Sequence, residues 1–169
     1  TGGKDLFDTA QQRVSLEFPA VRGTDLTGTG ARVDEVMVHF ITPTRIQVNG
    51  KFQNLIRFDV LVRQLLRRMT VLASHYCGGP PRWEVGEWLD RASRVGVRGH
   101  HLHWESLSRY SYRQERSVAM GGIVGSITYG GELGPFMPLL RLGERLHVGK
   151  GTAFGLGRMR LEAGSSPHT

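Results

Sequence analysis

The chain is poor in cysteine and lysine and has no long apolar run. Cys77 is the only cysteine among 169 residues, which excludes an intramolecular disulfide and makes a reducing, cytoplasmic compartment the natural expectation. No segment approaches the roughly 18 uninterrupted apolar residues of a membrane span, so we expect no membrane partner. A chain of this length forms one domain with a core of its own, or one domain with an appendage.

The positive charge is carried almost entirely by arginine and is unevenly distributed. The sequence has 22 Lys and Arg against 15 Asp and Glu, for a formal net charge of +7. Residues 1–56 are neutral overall, so residues 57–169 carry the whole excess. Arginine fits phosphate and stacks on bases. The segregated charge therefore favours a nucleic acid as partner, although a genomic bias toward arginine codons would also raise the arginine content.

The apolar pattern predicts an α+β domain. The clearest helix is 58–76, whose apolar residues recur at three-and-four spacing, and Pro43 indicates a bulge or an edge position. The predicted elements are strand 36–48, helix 58–76, short helix 83–95, strand 101–112, strand 118–129, helix 136–146 and strand 156–161. This is the ferredoxin-like (RRM-like) β-α-β-β-α-β order with an inserted short helix and an N-terminal extension, a topology that RNA-recognition modules also use.

The composition divides the chain into three parts. Residues 1–31 are polar and rich in glycine, and we expect an N-terminal extension or the remnant of a preceding domain. The chain begins with Thr1 and not with Met, so we expect a piece of a longer protein. Residues 32–162 form the ferredoxin-like domain, and residues 163–169 are expected to be a disordered tail.

A glycine-rich block at 146–160 is the most informative segment. Such turns let backbone N–H groups approach another chain, and successive N–H groups form anion-binding nests. A P-loop is excluded because Gly151 follows Lys150 where Ser or Thr belongs, and a dinucleotide fingerprint because Phe154 replaces its third glycine. The alternative is a turn shaped only for packing. We predict that the block binds RNA phosphate through Gly149, Lys150, Gly151, Thr152, Gly155, Gly157 and Arg158.

A second basic segment, with aromatic residues interleaved, lies between two predicted strands. Hairpin tips of this composition enter an RNA stem or stack on an unpaired base, whereas the alternative is a solvated charged hairpin. The predicted contacts are Arg109, Tyr110, Tyr112, Arg113 and Arg116. Helix residues Arg63, Arg67 and Arg68 lie outside the apolar stripe, and they either extend the groove or pair with acids such as Asp59.

The histidines offer an acid–base candidate but no metal site. His147 adjoins the glycine-rich block and is the candidate for an RNA contact or a catalytic group. Alternatively it caps the preceding helix at its C-terminus, where a cation is favoured. In the cluster His100, His101 and His103, only the last two share a strand face, and no Cys or nearby carboxylate completes a site. We therefore expect no metal and no cofactor.

Five motifs carry a resemblance to a known family. They are FITPTR at 40–45, LLRR at 65–68, RYSxRQ at 109–114, GGxxG at 121–125 and LLRLGExLHVGKGTxFGLG at 139–157. Together they resemble the carboxy-terminal domain of the CRISPR-associated endoribonucleases that process repeat RNA, the sixth CRISPR-associated family of the repeat-associated mysterious protein (RAMP) superfamily. The resemblance covers about residues 35–162, and the glycine-rich block is its most specific part.

The resemblance implies two tandem ferredoxin-like domains that bind a CRISPR repeat and cleave it without metal. The 2′-hydroxyl attacks the adjacent phosphodiester, with a histidine as general acid or base. In many members that histidine lies in the amino-terminal domain, so the catalytic residues stay open here, with His147 as the local candidate. The implied partners are repeat RNA, other CRISPR effector subunits and a second copy in a homodimer. A different interpretation is a non-catalytic RAMP subunit that scaffolds an effector complex.

Overall fold

A four-stranded antiparallel sheet organises the domain. The computed structural model describes residues 7–8, 13–14, 32–79, 84–111 and 115–163. In chain order its strands and α-helices are β1 (Phe7–Asp8), β2 (Arg13–Val14), β3 (Glu35–Thr44), β4 (Gln47–Val48), β5 (Lys51–Phe52), α1 (Phe58–Tyr76), α2 (Val85–Ser93), β6 (Gly96–Glu105), β7 (Ser108–Ser111), β8 (Arg116–Ala119), β9 (Gly122–Gly130), α3 (Met137–Leu146) and β10 (Met159–Ala163). The main sheet has the order β10-β3-β9-β6, and three two-stranded hairpins accompany it.

One face of the sheet carries the core. Strand alternation points Val36, Val38 and Phe40 of β3 to the same side, and all three are buried. They belong to one apolar cluster with Leu61 and Leu65 of α1. Helix α1 contacts α3, and α3 contacts β10. Helices therefore cover one face of an antiparallel sheet, which is the α+β, ferredoxin-like architecture that the sequence predicts.

Tyr129 of β9 closes the centre of this core. Its hydroxyl donates to the Ile56 carbonyl at 2.7 Å, and its ring meets the Phe58 ring edge-on with 5.1 Å between centroids. Burial raises the pKa of Tyr129 far above its ordinary value, and the Asp59 carboxylate raises it further. Tyr129 therefore acts as a neutral hydrogen-bond donor within the core.

The predicted bounds of α1 are confirmed, whereas four predicted strands have wrong bounds. The predicted strand 36–48 is two strands, β3 and β4. The predicted strand 101–112 is two strands, β6 and β7, and the predicted strand 118–129 is β8 and β9. The chain leaves the sheet here and returns at Gly121, where a Cβ would lie 2.7 Å from the Glu105 carbonyl oxygen. The last strand begins at Met159, because the preceding residues 155–157 belong to a turn.

Three smaller expectations have mixed outcomes. The bulge expected at Pro43 is confirmed, since the β3–β9 register shifts between Phe40 and Thr44. The short helix expected over 83–95 is α2, which ends at Ser93, and β6 begins at Gly96. Apart from the β1–β2 pairing, the expected extension 1–31 lies outside the described residues, as do residues 164–169 of the expected tail, while Ala163 ends β10. No helix in the described part of the chain has the length and apolarity to cross a membrane.

Candidate nucleic-acid interface

The glycine-rich loop, residues 147–158, is anchored to the bulged end of β3. The loop continues the β10 side of β3, directly beyond the pair formed by Phe40 and Met159. The Ile41 amide donates to the Arg158 carbonyl at 2.8 Å, and the Gly157 amide donates to the Pro43 carbonyl at 3.1 Å. The Lys150 amide donates to the Arg45 carbonyl at 2.9 Å. Two motifs of the predicted resemblance, FITPTR and the glycine-rich block, are thus in direct contact.

Several loop amides are bonded within the domain, including those of Gly155 and Gly157, while the predicted phosphate contacts through Gly149, Gly151 and Thr152 stay predictions. Besides Lys150 and Gly157, the Gly155 amide donates to the Thr152 carbonyl at 3.1 Å and the Phe154 amide to the Gly151 carbonyl at 2.9 Å. The Arg158 amide donates to the Thr42 hydroxyl at 2.9 Å. An N–H group already bonded inside the protein is not available to an external phosphate. The packing alternative therefore accounts for these amides.

Two glycines permit this packing. Gly157 has φ 73° and Gly149 has φ 88°, a region that side chains with a Cβ disfavour. A Cβ on Gly157 would overlap the Val148 carbonyl oxygen, and one on Gly149 would lie 2.6 Å from the Arg45 carbonyl oxygen. The backbone that approaches these glycines is the protein's own.

The Thr42 hydroxyl joins the bulge to two points of the loop. It accepts from the Arg158 amide at 2.9 Å and donates to the Gly155 carbonyl at 2.9 Å. A hydroxyl is the group that can do both at once. The loop is therefore held to β3 by a side chain as well as by backbone pairing.

A basic cleft lies beside the loop. It is a cavity of about 480 Å³ between α1, the β4–β5 hairpin and the loop. No carboxylate belongs to its lining within the part of the chain that the structure describes. The lining residues are Arg45, Gln47, Gly50, Gln64, Arg67, Arg68, Val71, Gly149 and Lys150.

The cleft unites groups that the sequence placed apart. Lys150 and Gly149 come from the predicted phosphate loop, while Arg67 and Arg68 come from α1, so these two arginines extend the groove. Arg68 donates from Nε to the Leu146 carbonyl at 3.3 Å. Arg63 is exposed but does not line the cleft. Its predicted role in RNA binding stays a prediction.

Sequence reasoning missed Arg45, which holds three parts of the site together. Its Nη1 donates to the Ala119 carbonyl of β8 at 2.7 Å, and its guanidinium lies 4.6 Å from the centroid of the Phe52 ring. Its buried Nε has no hydrogen-bond partner among the described residues. The signal was present, because Arg45 ends the FITPTR motif, but no cluster of charge around it marked a site.

The β7–β8 hairpin lies against the loop through one cation–π contact. The Arg109 guanidinium lies 4.3 Å from the centroid of the Phe154 ring, and Tyr110 and Phe154 are both exposed by more than half. Cation–π pairs of this kind contribute about 0.5–1 kcal/mol at exposed sites. The two predicted RNA-binding segments therefore meet on one surface. Tyr112 and Arg113 lie outside the described residues, as does the side chain of Arg116.

Arg158 lies on a second groove. This cavity of about 300 Å³ is lined by Ile41, Glu144, Arg145, Arg158, Met159 and Arg160. Lys150 and Arg158, predicted as one phosphate site, therefore line different grooves. Any single ligand of both would have to extend along the surface past the loop, as a polymer does.

His147 has a structural role at the end of α3. It is the C-cap residue, and its amide donates to the Gly143 carbonyl at 3.0 Å. Its Nδ1 lies 3.2 Å from the Leu156 carbonyl oxygen, and because a carbonyl oxygen only accepts, Nδ1 is the donor of this bond. Within the described residues no three His, Cys, Asp or Glu side chains gather to hold a metal ion.

The comparisons with known proteins point to one class, the RNA-processing proteins of CRISPR systems. A family profile described as CRISPR-associated endoribonuclease Cas6 matches residues 38–159. No curated protein shows significant sequence similarity to the chain. Because the profile matches more than half of the chain, the chain belongs to the Cas6 family, and the predicted resemblance is confirmed.

Solved structures agree on the fold. A Cas6 (TTHA0078) product complex is 24% identical over 82% of this chain and 54% of its own, with a TM-score of 0.58. A Thermus thermophilus Cas6 (TTHB231) is 15% identical over 84% of this chain and 58% of its own, with a TM-score of 0.64. The chain thus spans little more than half the length of these Cas6 structures.

Proposed function

We propose that the chain supplies the RNA-binding, carboxy-terminal domain of a CRISPR precursor-RNA processing endoribonuclease. The observation that carries this proposal is the basic cleft, where Arg45, Arg67, Arg68 and Lys150 meet without a carboxylate among the described lining residues. Uncompensated cations along a groove favour a polyanion. Membership of the Cas6 family supports repeat RNA as that polyanion. Two similar Cas6 structures are described as a product complex and a substrate mimic complex.

The RNA path in this proposal runs from the basic cleft past the loop. Lys150 contacts phosphate at one end and Arg158 contacts it at the other. Arg109, Tyr110 and Phe154 present a cation and two exposed rings to the RNA between them, because aromatic faces stack on unpaired bases. Arg113 and Arg116 are proposed as further RNA contacts. The remaining predicted residues are Gly149, Gly151, Thr152, Gly155 and Gly157. Of these, Gly155 and Gly157 act by shaping the loop, because their amides are bonded within the domain.

The proposed reaction is cleavage within the repeat without a metal ion. The RNA 2′-oxygen bonds to the adjacent phosphorus, and the 5′-oxygen leaves with a proton, which yields a 2′,3′-cyclic phosphate and a 5′-hydroxyl. This step needs a general base and a general acid, for which imidazole is suited near neutral pH. Nε2 of His147 is the imidazole nitrogen that the described residues place beside the loop, so His147→Ala tests that role in the cleavage assay.

Binding is tested with the complete protein and labelled repeat RNA over a series of salt concentrations. Lys150→Ala combined with Arg158→Ala should weaken binding, and the slope of log K against log salt should fall by about one for each phosphate that the variant no longer binds. Each single variant, Lys150→Ala and Arg158→Ala, is compared with Arg32→Ala, which also removes one cation. Arg32 pairs with Asp34 at 2.9 Å near the other end of β3, about 30 Å away. Binding that is indifferent to the changes at Lys150 and Arg158 would contradict the loop assignment.

Cleavage is tested on a denaturing gel in the presence of EDTA. One discrete cut with a cyclic phosphate end supports the nuclease. Tight binding with intact RNA supports the alternative, a non-catalytic RAMP subunit that scaffolds an effector complex. One similar structure is described as a Cas6-RT-Cas1–Cas2 complex, so other CRISPR subunits are proposed as partners of the whole protein. A homodimer is a separate proposal, tested by light scattering with and without RNA.

A further inference from the structure

We propose that the basic cleft holds one unpaired nucleotide of the RNA, with its phosphate against the arginines and the edge of its base against Gln64. The proposal rests on the proposed function, because it assumes that RNA reaches this surface. It adds a base-specific subsite and names the side chain that reads the base.

The shape of the cleft favours a single nucleotide over a duplex. Its volume of about 480 Å³ falls within the range of about 300–1,000 Å³ for small-ligand pockets. An A-form duplex presents its phosphates on a convex surface, whereas an unstacked nucleotide enters a concave site. The cleft is therefore suited to a nucleotide that leaves the stem or flanks it.

The walls of the cleft differ in chemistry. Arg45, Arg67, Arg68 and Lys150 supply positive charge, and Val71 of α1 supplies an apolar surface that is 47% exposed. A base laid on Val71 would cover apolar surface that is otherwise in water, which is favourable. A phosphate and a base can therefore contact different walls of the same cavity.

The two glutamines of the cleft differ in how their side-chain amides are hydrogen-bonded. Gln47 is engaged on both sides of its amide, because Oε1 accepts from Lys150 Nζ and Nε2 donates to the Gly50 carbonyl at 3.1 Å. The side-chain amide of Gln64 has no hydrogen-bond partner in residues 32–79, 84–111 and 115–163. Gln64 lies one helical turn before Arg67 and Arg68, so all three share a face of α1.

Gln64 is therefore the group in this cleft that can read a base. A primary amide offers a donor and an acceptor side by side, the arrangement that pairs with the edge of adenine. An unpaired base exposes such edges, while a base in an A-form stem hides them in a deep groove. We assign base recognition to Gln64 and phosphate binding to Arg67 and Arg68.

The experiment is an abasic scan of the repeat RNA with the complete protein. Dissociation constants are measured for RNAs that lack one base at each unpaired position in turn, with wild type, Gln64→Ala and the control Gln53→Ala. We expect the affinity of wild type to fall about tenfold at one position, the size of effect that one side chain reading one base produces. Gln64→Ala should bind intact RNA about tenfold more weakly than wild type does. Removing the base at that position should not weaken the binding of Gln64→Ala further. Circular dichroism checks that each variant is folded.

The outcomes separate this inference from the proposed function. If repeat RNA binds but Gln64→Ala shows the same fall in affinity as wild type at every abasic position, the base-reading subsite is wrong and RNA binding stands. If repeat RNA does not bind at all, the proposed function fails. The four nucleoside 5′-monophosphates and inorganic phosphate are then titrated directly. A nucleotide that binds more tightly than phosphate, and no longer does so in Gln64→Ala, supports the subsite, and equal binding overturns it.

Discussion

Replacing Gly157 with alanine tests whether the glycine-rich loop is shaped by its own domain. At φ 73° a Cβ on residue 157 would overlap the Val148 carbonyl oxygen. Gly155 is the matched control, because its φ is 80° but its Cβ position has open space within 4 Å. Gly155→Ala therefore carries only the left-handed backbone strain, on the order of 1 kcal/mol.

The overlap at Gly157 adds to that strain. Moving the two segments apart breaks the bond from the Val148 amide to the Gly157 carbonyl at 2.8 Å and strains the bond from the Gly157 amide to Pro43 at 3.1 Å. Each bond is worth about 1 kcal/mol net, so Gly157→Ala should cost about 3 kcal/mol in all. The expected fall in Tm is on the order of 10 °C, against a few degrees for Gly155→Ala.

Thermal and urea unfolding of the two variants, followed by circular dichroism, measures this difference. The packing role of Gly157 is refuted if Gly157→Ala is no less stable than Gly155→Ala, because the approach of Val148 would then be relieved at no cost. A loop built mainly to cradle RNA would give the opposite pattern, with normal stability for both variants and a defect confined to RNA binding.

Three further predictions concern contacts of the same domain. Thr42→Val should lower the free energy of unfolding by about 1–3 kcal/mol, since two loop groups lose their shared hydroxyl, whereas Thr70→Val, which loses only a bond to a helix carbonyl, should be nearly neutral in urea unfolding. Arg109→Ala and Phe154→Ala should show a coupling of about 0.5–1 kcal/mol in a double-mutant cycle, and additive effects would exclude the cation–π contact. Tyr129 has a raised pKa in the folded state. Its contribution to the free energy of unfolding is therefore complete below about pH 10, the ordinary tyrosine pKa, and is lost as the pH rises from there toward the folded-state value. Tyr129→Phe should therefore be less stable at neutral pH and lose less stability between pH 9 and 11 in urea titrations.

Local patterns made the helices and the order of elements predictable. The apolar stripe of α1 repeats with the helical period over 19 residues, and nothing in the tertiary structure overrides it. The strand boundaries depended on where the chain leaves the sheet. The chain returns to the sheet where Gly121 packs against the backbone of Glu105 in β6. The alternation of residues within one strand does not report such a contact.

The role of the loop could not be read from its glycines alone. A glycine at positive φ admits a close neighbour, and the neighbour can be a ligand or the chain itself. Here the neighbours are Arg45 and Val148. The contact with Arg45 spans about a hundred residues of sequence, so only the folded chain could identify it. Lys150 was predictable as a cation beside a turn, whereas its meeting with Arg67 and Arg68 needed the packing of α1.

The segment 42–45 explains why the basic cleft forms where it does. The register between β3 and β9 shifts here, and the carbonyls of Pro43 and Arg45 accept from the amides of Gly157 and Lys150. The bond from the Lys150 amide to Arg45 also brings Lys150 to the cleft that the Arg45 side chain lines. Because one short segment holds the backbone of the loop and supplies a cation to the cleft, disturbance of the loop displaces charge even when no charged residue is changed. Loop glycines therefore influence RNA binding through the position of Lys150 and Arg45, and the amides of Gly155 and Gly157 stay bonded within the domain.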